Sequence, residues 1–201
     1  WEFYPDVGES LSASVFYKHF DSPIEEIIIP GAVNTLTFAN ASSATLLGLE
    51  VEARKSLGFA AQKLEAFYLS GNVSLIRSRV ELNPELDLSL TSLDRPLQGQ
   101  SPYVFNVQFG WEPEEVGVDA TILYNVFGPR ITGVGVQGVP DSLELPFHQL
   151  DAVISYKLDR FRFGLKAKNL LNLAAIERTG DIDVRREIKG REVSLSVGAT
   201  F

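Results

Sequence analysis

The chain contains no cysteine, which excludes disulfides and thiolate metal sites and leaves the redox compartment open. Its two histidines, His19 and His148, are too few for a histidine metal centre. No cofactor is expected. There is no run of about 18 apolar residues, so a helical membrane protein is excluded. Basic residues are scarce: 18 Lys and Arg stand against 26 Asp and Glu, giving a net charge of −8. Nucleic acid is therefore not an expected partner, because phosphate binding needs a basic surface. Catalytic signatures are missing too. There is no cysteine nucleophile, no Gly-x-Ser-x-Gly elbow, no Walker loop and no His-Glu-x-x-His pair, and an enzyme is not expected.

What the sequence does have is alternation. Its 201 residues, 45% hydrophobic and 22% charged, suffice for a single unit spanning 1–201. From Arg191 to the end, Val193, Leu195, Val197, Ala199 and Phe201 take one parity, while Glu192, Ser194, Ser196, Gly198 and Thr200 take the other. A strand here has one oily face and one polar face. The same period predicts strands near 9–20, 45–55, 64–79, 101–112, 116–127, 148–158 and 161–168. The clearest sets Tyr103, Phe105, Val107, Phe109 and Trp111 against Asn106, Gln108 and Gly110, and another sets Phe161, Phe163 and Leu165 against Arg162, Gly164 and Lys166. Trp1-Glu2-Phe3-Tyr4-Pro5 looks like the tail of one more strand before these. Because Trp1 is no initiator methionine and no signal peptide comes after it, an excised fragment is expected.

The connections between these strands alternate short and long, with long ones near 21–44, 80–100, 128–146 and 171–190. Tight turns at one end of a sheet and extended loops at the other are the pattern of outer-membrane barrels. Aromatic residues also sit near the ends of oily faces, Tyr103 and Trp111 on one strand and Phe201 on another, as interfacial girdles do. The fold expected is all-β: an antiparallel up-and-down meander of about eight to nine strands, part of a transmembrane β-barrel. A soluble lipocalin-like barrel would show the same period with its oily parity inward around a ligand. A small complete outer-membrane barrel is a further alternative, since eight strands can close alone. Charges in mid-strand on the polar parity, Glu50, Glu52, Arg54, Asp119, Arg162, Lys166 and Lys168, favour a hydrated or plugged lumen over a dry interior.

Several pieces, in order, resemble the C-terminal part of a TonB-dependent outer-membrane receptor. They are 11–18 and then Pro23-Ile24-Glu25-Glu26; Asn40 and then 48–53; Asn169-Leu170-Leu171-Asn172 after the alternating 165–168; and Gly190-Arg191 leading into the last strand. That family's barrel is the 22-stranded, plugged kind, so this chain would supply its last third. The resemblance implies a parent protein in the bacterial outer membrane that takes up a scarce solute, such as a ferric siderophore, a cobalamin or a glycan. It implies as partners the outer-membrane lipid, a plug domain with the remaining barrel, and the TonB system. Since no plug precedes Trp1, this chain alone is not expected to gate or couple transport. The terminal strand, Val193, Leu195, Val197, Ala199 and Phe201, resembles the signal that the outer-membrane assembly machinery takes up by strand addition.

Under this reading Tyr103, Phe105, Val107, Phe109, Trp111, Phe161, Phe163 and Leu165 face lipid. Ligand-binding residues cannot be named from the sequence. Gly133-Val134-Gly135-Val136-Gln137-Gly138 has the letters of a dinucleotide fingerprint, but no helix comes after it, and it reads as loop glycine. Glu50 with Glu52 reads as lumen wall, Arg185 with Arg186 as a solvated loop, and His148 as structural.

Overall fold

The computed structural model describes residues 1–29, 32–33, 35–81, 90–92, 94–114 and 116–200, with the backbone only at 27–29. Pro30, Gly31, Pro84, Glu115 and Phe201, which the sequence assigns to two loops, a charged turn and the last strand, lie outside the described residues. Fifteen strands occur among the described residues. In chain order they are β1 (Glu2–Phe3), β2 (Ser10–Asp21), β3 (Ile24–Ile29), β4 (Thr35–Asn40), β5 (Ser43–Ser56), β6 (Phe67–Glu81), β7 (Tyr103–Trp111), β8 (Val118–Phe127), β9 (Arg130–Gly135), β10 (Ser142–Glu144), β11 (Phe147–Leu158), β12 (Phe161–Lys168), β13 (Ala175–Thr179), β14 (Ile182–Glu187) and β15 (Glu192–Ala199). None of the described helices is long and apolar enough to cross a membrane.

Nine of these strands form one open sheet in the order β1-β2-β5-β6-β7-β8-β11-β12-β15, and every neighbouring pair is antiparallel. Each wall strand pairs with the next wall strand along the chain, so the sheet is a meander whose edges are β1 and β15. The period-two stretches expected from the sequence are its strands, with ends shifted by no more than three residues. Directly opposed residues share a face, and the register carries the oily parity unbroken across the sheet. One row runs Val15, Leu49, Leu75 and Tyr103; another runs Phe67, Trp111, Ala120, Ile154, Leu165 and Leu195.

Two polar-face glycines let aromatic rings lie flat on the neighbouring strand. The Phe16 ring covers Gly48, its direct partner, and the Tyr68 ring covers Gly110 in the same way. A Cβ at either glycine would occupy the ring's place, so these positions need the missing side chain rather than an unusual φ.

The turn between β5 and β6 is longer than the sequence suggested. It holds two 3-10 turns, Leu57–Phe59 and Gln62–Leu64, the first capped by the Ser56 hydroxyl accepting from the Gly58 N–H. Beside it Glu9 is buried, held by Lys55 Nζ at 2.6 Å and the Ser56 N–H at 3.3 Å.

At the opposite end the long connections are not structureless. The hairpins β3-β4, β9-β10 and β13-β14 join into a second, six-stranded sheet in the order β14-β13-β10-β9-β3-β4. The β3–β9 contact is its one parallel pairing among the described residues, at Ile27↔Val134 and Ile28↔Gly135. The sequence shows short extended pieces in the first connection, Ile27-Ile28-Ile29 and Thr35-Leu36-Thr37-Phe38, but reads as loop over 128–146 and 171–190, and there the structure corrects it. Strand β9 escapes period-two detection because it is buried on both sides: Ile131, Val134 and Val136 beyond it are all buried. Gly135 permits this packing, since a Cβ there would strike the Val139 carbonyl. The glycines of 133–138 therefore serve close backbone approach and a turn at Gln137-Gly138, where φ is +55° and +83°, and hold no dinucleotide loop.

Apart from Tyr68 near the short turns, the buried apolar residues collect at this end. Ala41, Ala44, Leu46, Val80, Ile131, Val134 and Val136 are buried, with Leu97 packed against the first group. Ala44, Leu46 and Val80 lie on the otherwise polar face of β5 and β6, so that face turns apolar only where the loop layer covers it.

Candidate functional site

The two faces of the nine-stranded sheet differ in chemistry and in exposure. On the apolar face large side chains stay open: Val15 is 73% exposed, Phe105 39% and Leu195 81%. Residues predicted to face lipid stand together there. Tyr103 opposes Leu75, Phe105 opposes Val73 and Val126, Val107 opposes Tyr124, and Phe109 opposes Leu69 and Ile122. Trp111 meets Phe67 with ring centroids 6.3 Å apart, and Phe67 stacks on Phe109 at 5.7 Å. Phe161, Phe163 and Tyr156 form a second aromatic group, at 6.3 to 6.4 Å. Both groups lie toward the short-turn end. Leu165 pairs with Ile154 and Leu195.

Of the terminal-strand residues, Val193 opposes Ala167, Leu195 opposes Leu165, Val197 opposes Phe163 and Ala199 opposes Phe161. All of β15 is exposed, and its far edge has no partner strand among the described residues. His148, also on the apolar face, is held by the Tyr124 hydroxyl at 2.6 Å from Nδ1.

The polar face carries a ladder of amides. Ser12, Glu52, Asn72, Asn106, Asn125 and Gln149 stand directly opposite one another across six strands. Asn125 Nδ2 donates to Asn106 Oδ1 at 2.6 Å, and Asn106 Nδ2 donates to Asn72 Oδ1 at 2.8 Å. Asn106 both gives and accepts, which fixes the orientation of the three amides along one line. The ladder continues through Gln149, whose Nε2 donates to both oxygens of Asp151 at 3.0 and 3.1 Å. A recess of about 300 Å³ opens along this row. Nearer the short turns, the Arg54 guanidinium lies 3.5 Å over the Tyr68 ring and donates to Glu112 at 3.1 Å. Glu50 accepts from the Ser74 hydroxyl at 3.3 Å.

A second candidate surface is the loop layer. Its central fastening joins connections far apart in sequence: Arg95 donates two bonds to the Glu25 carboxylate, both 2.7 Å, with the side chains 3% and 4% exposed. Gln98 ties the same two connections to a third, accepting from the Glu26 N–H at 2.6 Å and donating to the Thr132 carbonyl at 2.6 Å. Thr132 in turn donates to Glu177 at 2.7 Å. A recess of about 190 Å³ beside it is lined by Glu144, Glu177 and Glu187 together with Arg185 and Lys189. Arg185 bonds Glu187 at 2.7 Å, and Arg130 bonds Glu144 at 2.6 Å. The wall of this recess is thus mixed in sign. At the outer hairpin, Asp183 sits 2.7 Å from Arg178 and holds its pKa above the usual value through a hydrogen bond and its charge.

The motif Asn169-Leu170-Leu171-Asn172 closes β12 and holds the last connection in place. Asn169 and Asn172 have φ of +53° and +51°, a left-handed backbone that asparagine tolerates. The Asn169 N–H donates to Asp151 at 2.9 Å and its Nδ2 to the Gly190 carbonyl at 2.6 Å. The Arg191 Nε reaches the Leu170 carbonyl at 3.0 Å. Two of the stretches that carried the family resemblance are therefore one fastening. Sequence reasoning missed the Glu25–Arg95 pair and the loop sheet. The two partners lie 70 residues apart, and no periodicity announces such a contact.

A family model described as TonB dependent receptor-like, beta-barrel, matches residues 1–170. Among solved structures, the FrpB iron transporter from Neisseria meningitidis shares the fold with a TM-score of 0.63 at 15% identity, over 96% of this chain and 28% of that one. A mutant of the ferric enterobactin receptor PfeA from Pseudomonas aeruginosa does so with a TM-score of 0.63 at 14% identity, over 98% and 30%. This chain thus spans under a third of the length of either. No curated protein sequence matches it. A family match over most of the chain, on a meander with short turns at one end and a folded loop layer at the other, makes this chain a member of the TonB-dependent receptor-like β-barrel family.

Proposed function

We propose that this chain is the C-terminal wall of an outer-membrane receptor that binds and passes a scarce solute and breaks no bonds in it. The observation that carries the proposal is the inverted distribution of side chains. Large apolar residues stay open along one face of the nine-stranded sheet, a hydrogen-bonded amide ladder lines the other, and the buried core lies under the loops. A face of that kind is stable against acyl chains, and its opposite suits a hydrated or plugged lumen. Tyr103, Phe105, Val107, Phe109, Trp111, Phe161, Phe163 and Leu165 are then lipid-facing, and Val193, Leu195, Val197, Ala199 and Phe201 carry the assembly signal. The plug domain and the remaining strands belong to the rest of the parent protein, and the TonB system acts through its N-terminal part. Of the three solute classes, ferric chelates are the first to try, because both structural neighbours are named for iron.

The test places tryptophan at Phe105 and Phe163, and separately at Asn106, in the full receptor with its native tryptophans, Trp1 and Trp111 included, replaced by phenylalanine, folded into vesicles containing brominated phosphatidylcholine. Quenching at Phe105→Trp and Phe163→Trp with none at Asn106→Trp is expected. The reverse pattern would make the oily face an interior and favour a soluble ligand-binding barrel. Receptor-dependent growth on ferric chelates as the iron source then tests the solute.

A further inference from the structure

Toward the β15 edge of the wall and its short turns, the polar face becomes basic. Lys157 stands directly opposite Arg162, which opposes Gly198; two rows nearer the loops, Lys166 opposes Val153 and Ser194. The row between them is Ser155, Gly164 and Ser196. All these residues share the parity of Gln149 and Asp151, so the three cations project from the face that carries the amide ladder. A recess of about 450 Å³ opens here, lined on this parity by Arg162, Gly164, Lys166, Ser194, Ser196 and Gly198. A Cβ added at Gly198 would meet nothing within 4 Å.

Elsewhere on this face cations have carboxylate partners, Arg54 with Glu112 and Lys168 with Glu192, both at 3.1 Å. The side chains of Lys157, Arg162 and Lys166 form no ion pair or hydrogen bond among the described residues, and all three residues are exposed. The acid on the adjoining strand, Asp119, accepts instead from Ser155 at 3.2 Å. Like charges directly opposite one another destabilise a strand pair; Lys157 and Arg162 stand so in a chain whose net charge is −8. An anion seated between them removes that repulsion, and the Arg162 fork supplies directed donors for it. At about 3.3 Å per residue, Arg162 and Lys166 lie about 13 Å apart along β12, a spacing that suits a ligand with two anionic groups. Val153, which also lines the recess, suits carbon between them.

We infer that this recess binds an organic anion carrying two or more carboxylates. One carboxylate lies between Lys157 and Arg162, and another accepts from Lys166 and the Ser194 hydroxyl. The inference rests on the reading of the polar face as a hydrated lumen. It adds to that reading a charge preference in the half of the wall away from the loop layer, which a solute reaches only after passing the loops.

The test uses the full receptor in vesicles, with Ser196→Cys as its single thiol, and methanethiosulfonate reagents of opposite charge on both sides of the membrane. This chain supplies no other cysteine. The anionic reagent is expected to react faster than the cationic one. Arg162→Gln with Lys166→Gln lowers that rate ratio roughly tenfold, the screened effect of two nearby charges. Tricarballylate, a tricarboxylate, protects Ser196→Cys saturably, whereas acetate at equal ionic strength does not, and in the double variant the protecting concentration rises roughly tenfold. Protection is read with both cations in place, so it decides the matter even where the double variant does not fold. No protection by tricarballylate, equal protection by acetate, or a rate ratio unchanged in the double variant overturns the proposal. Val197→Cys, one residue on and facing the other way, separates two failures. If both positions resist both reagents, another part of the parent fills the recess and only the anion site falls. If Val197→Cys reacts freely with both, the membrane reading beneath it falls too.

Discussion

Arg95→Met is the substitution that most sharply probes how the loop layer is held. It removes both 2.7 Å bonds to Glu25 and leaves that carboxylate 4% exposed with no cation beside it. Breaking a buried pair by removing one partner costs about 3–5 kcal/mol, because the remaining charge stays desolvated. Replacing both partners by apolar residues of similar size is often neutral or better. Glu25→Leu combined with Arg95→Met is therefore expected to recover most of the loss. The loss is also local. Arg95 and Gln98 fasten loops to loops, whereas the wall strands keep their own ladders. Amide exchange in the full receptor reads this directly. The Gly99 N–H, bonded to the Ile131 carbonyl at 2.8 Å, and the Thr91 N–H, bonded to the Gly135 carbonyl at 2.9 Å, are expected to lose roughly 10² to 10³ of protection. Amides between β7 and β8 are expected to change little. If Arg95→Met leaves Gly99 and Thr91 protected as in wild type, or lowers wall and loop amides equally, the layer is not held by this pair.

Three further substitutions test the wall. Ile122→Arg, on the apolar face, is expected to cost about 2–4 kcal/mol of folding free energy in vesicles, whereas Ser74→Arg on the polar face costs far less; equal costs in a denaturant titration would refute the assignment of faces. Gly110→Leu displaces the Tyr68 ring that lies on it and is expected to cost about 1–3 kcal/mol by overpacking, while Gly198→Ala, where an added Cβ meets nothing, is near neutral in the same titration. Asn169→Ala forces a left-handed residue without its side-chain bond to Gly190 and is expected to cost about 1–3 kcal/mol; Asn169→Gly, which relieves the backbone but not the lost bond, recovers part of it, and equal losses would locate the cost wholly in the hydrogen bond.

The wall was legible because a membrane-facing strand is amphipathic by residue. Phe105 and Asn106 must point opposite ways, so the sequence between Tyr103 and Trp111 states both faces and the strand at once. Register came from the same parity: a slip of one residue would turn Leu75 from Tyr103 and Phe105 toward the amides. The loop layer obeys no such rule. Val134 is buried among the loop hairpins rather than in a sheet with one apolar and one polar face, so its neighbours need no alternation, and glycine at 133 and 135 reads locally as loop. The Glu25–Arg95 pair looks, in the sequence, like two ordinary surface charges. Only the fold of the chain between them, 70 residues in separation, makes them buried partners. The family resemblance did contain part of this information, since Pro23-Ile24-Glu25-Glu26 and Asn169-Leu170-Leu171-Asn172 are the segments whose side chains and backbone fasten connections together.

On the proposed reading, the hydrophobic effect is spent in two media within one chain. Under the loops it works as in any water-soluble domain: Ala44, Val80, Ile131 and Val134 leave water for a packed interior, each apolar Å² contributing about 25 cal/mol. On the proposed lipid-facing reading, the same term works along the wall against a bilayer, where Val15, Leu49, Phe105 and Leu195 stand exposed. Removing lipid should therefore strip the wall of its main stabilising term and leave the loop core its own. The backbone ladders of the wall would persist only as far as their hydrogen bonds and the amide row Asn72, Asn106 and Asn125 hold them. On the proposed reading, lipid is the missing half of the wall's core.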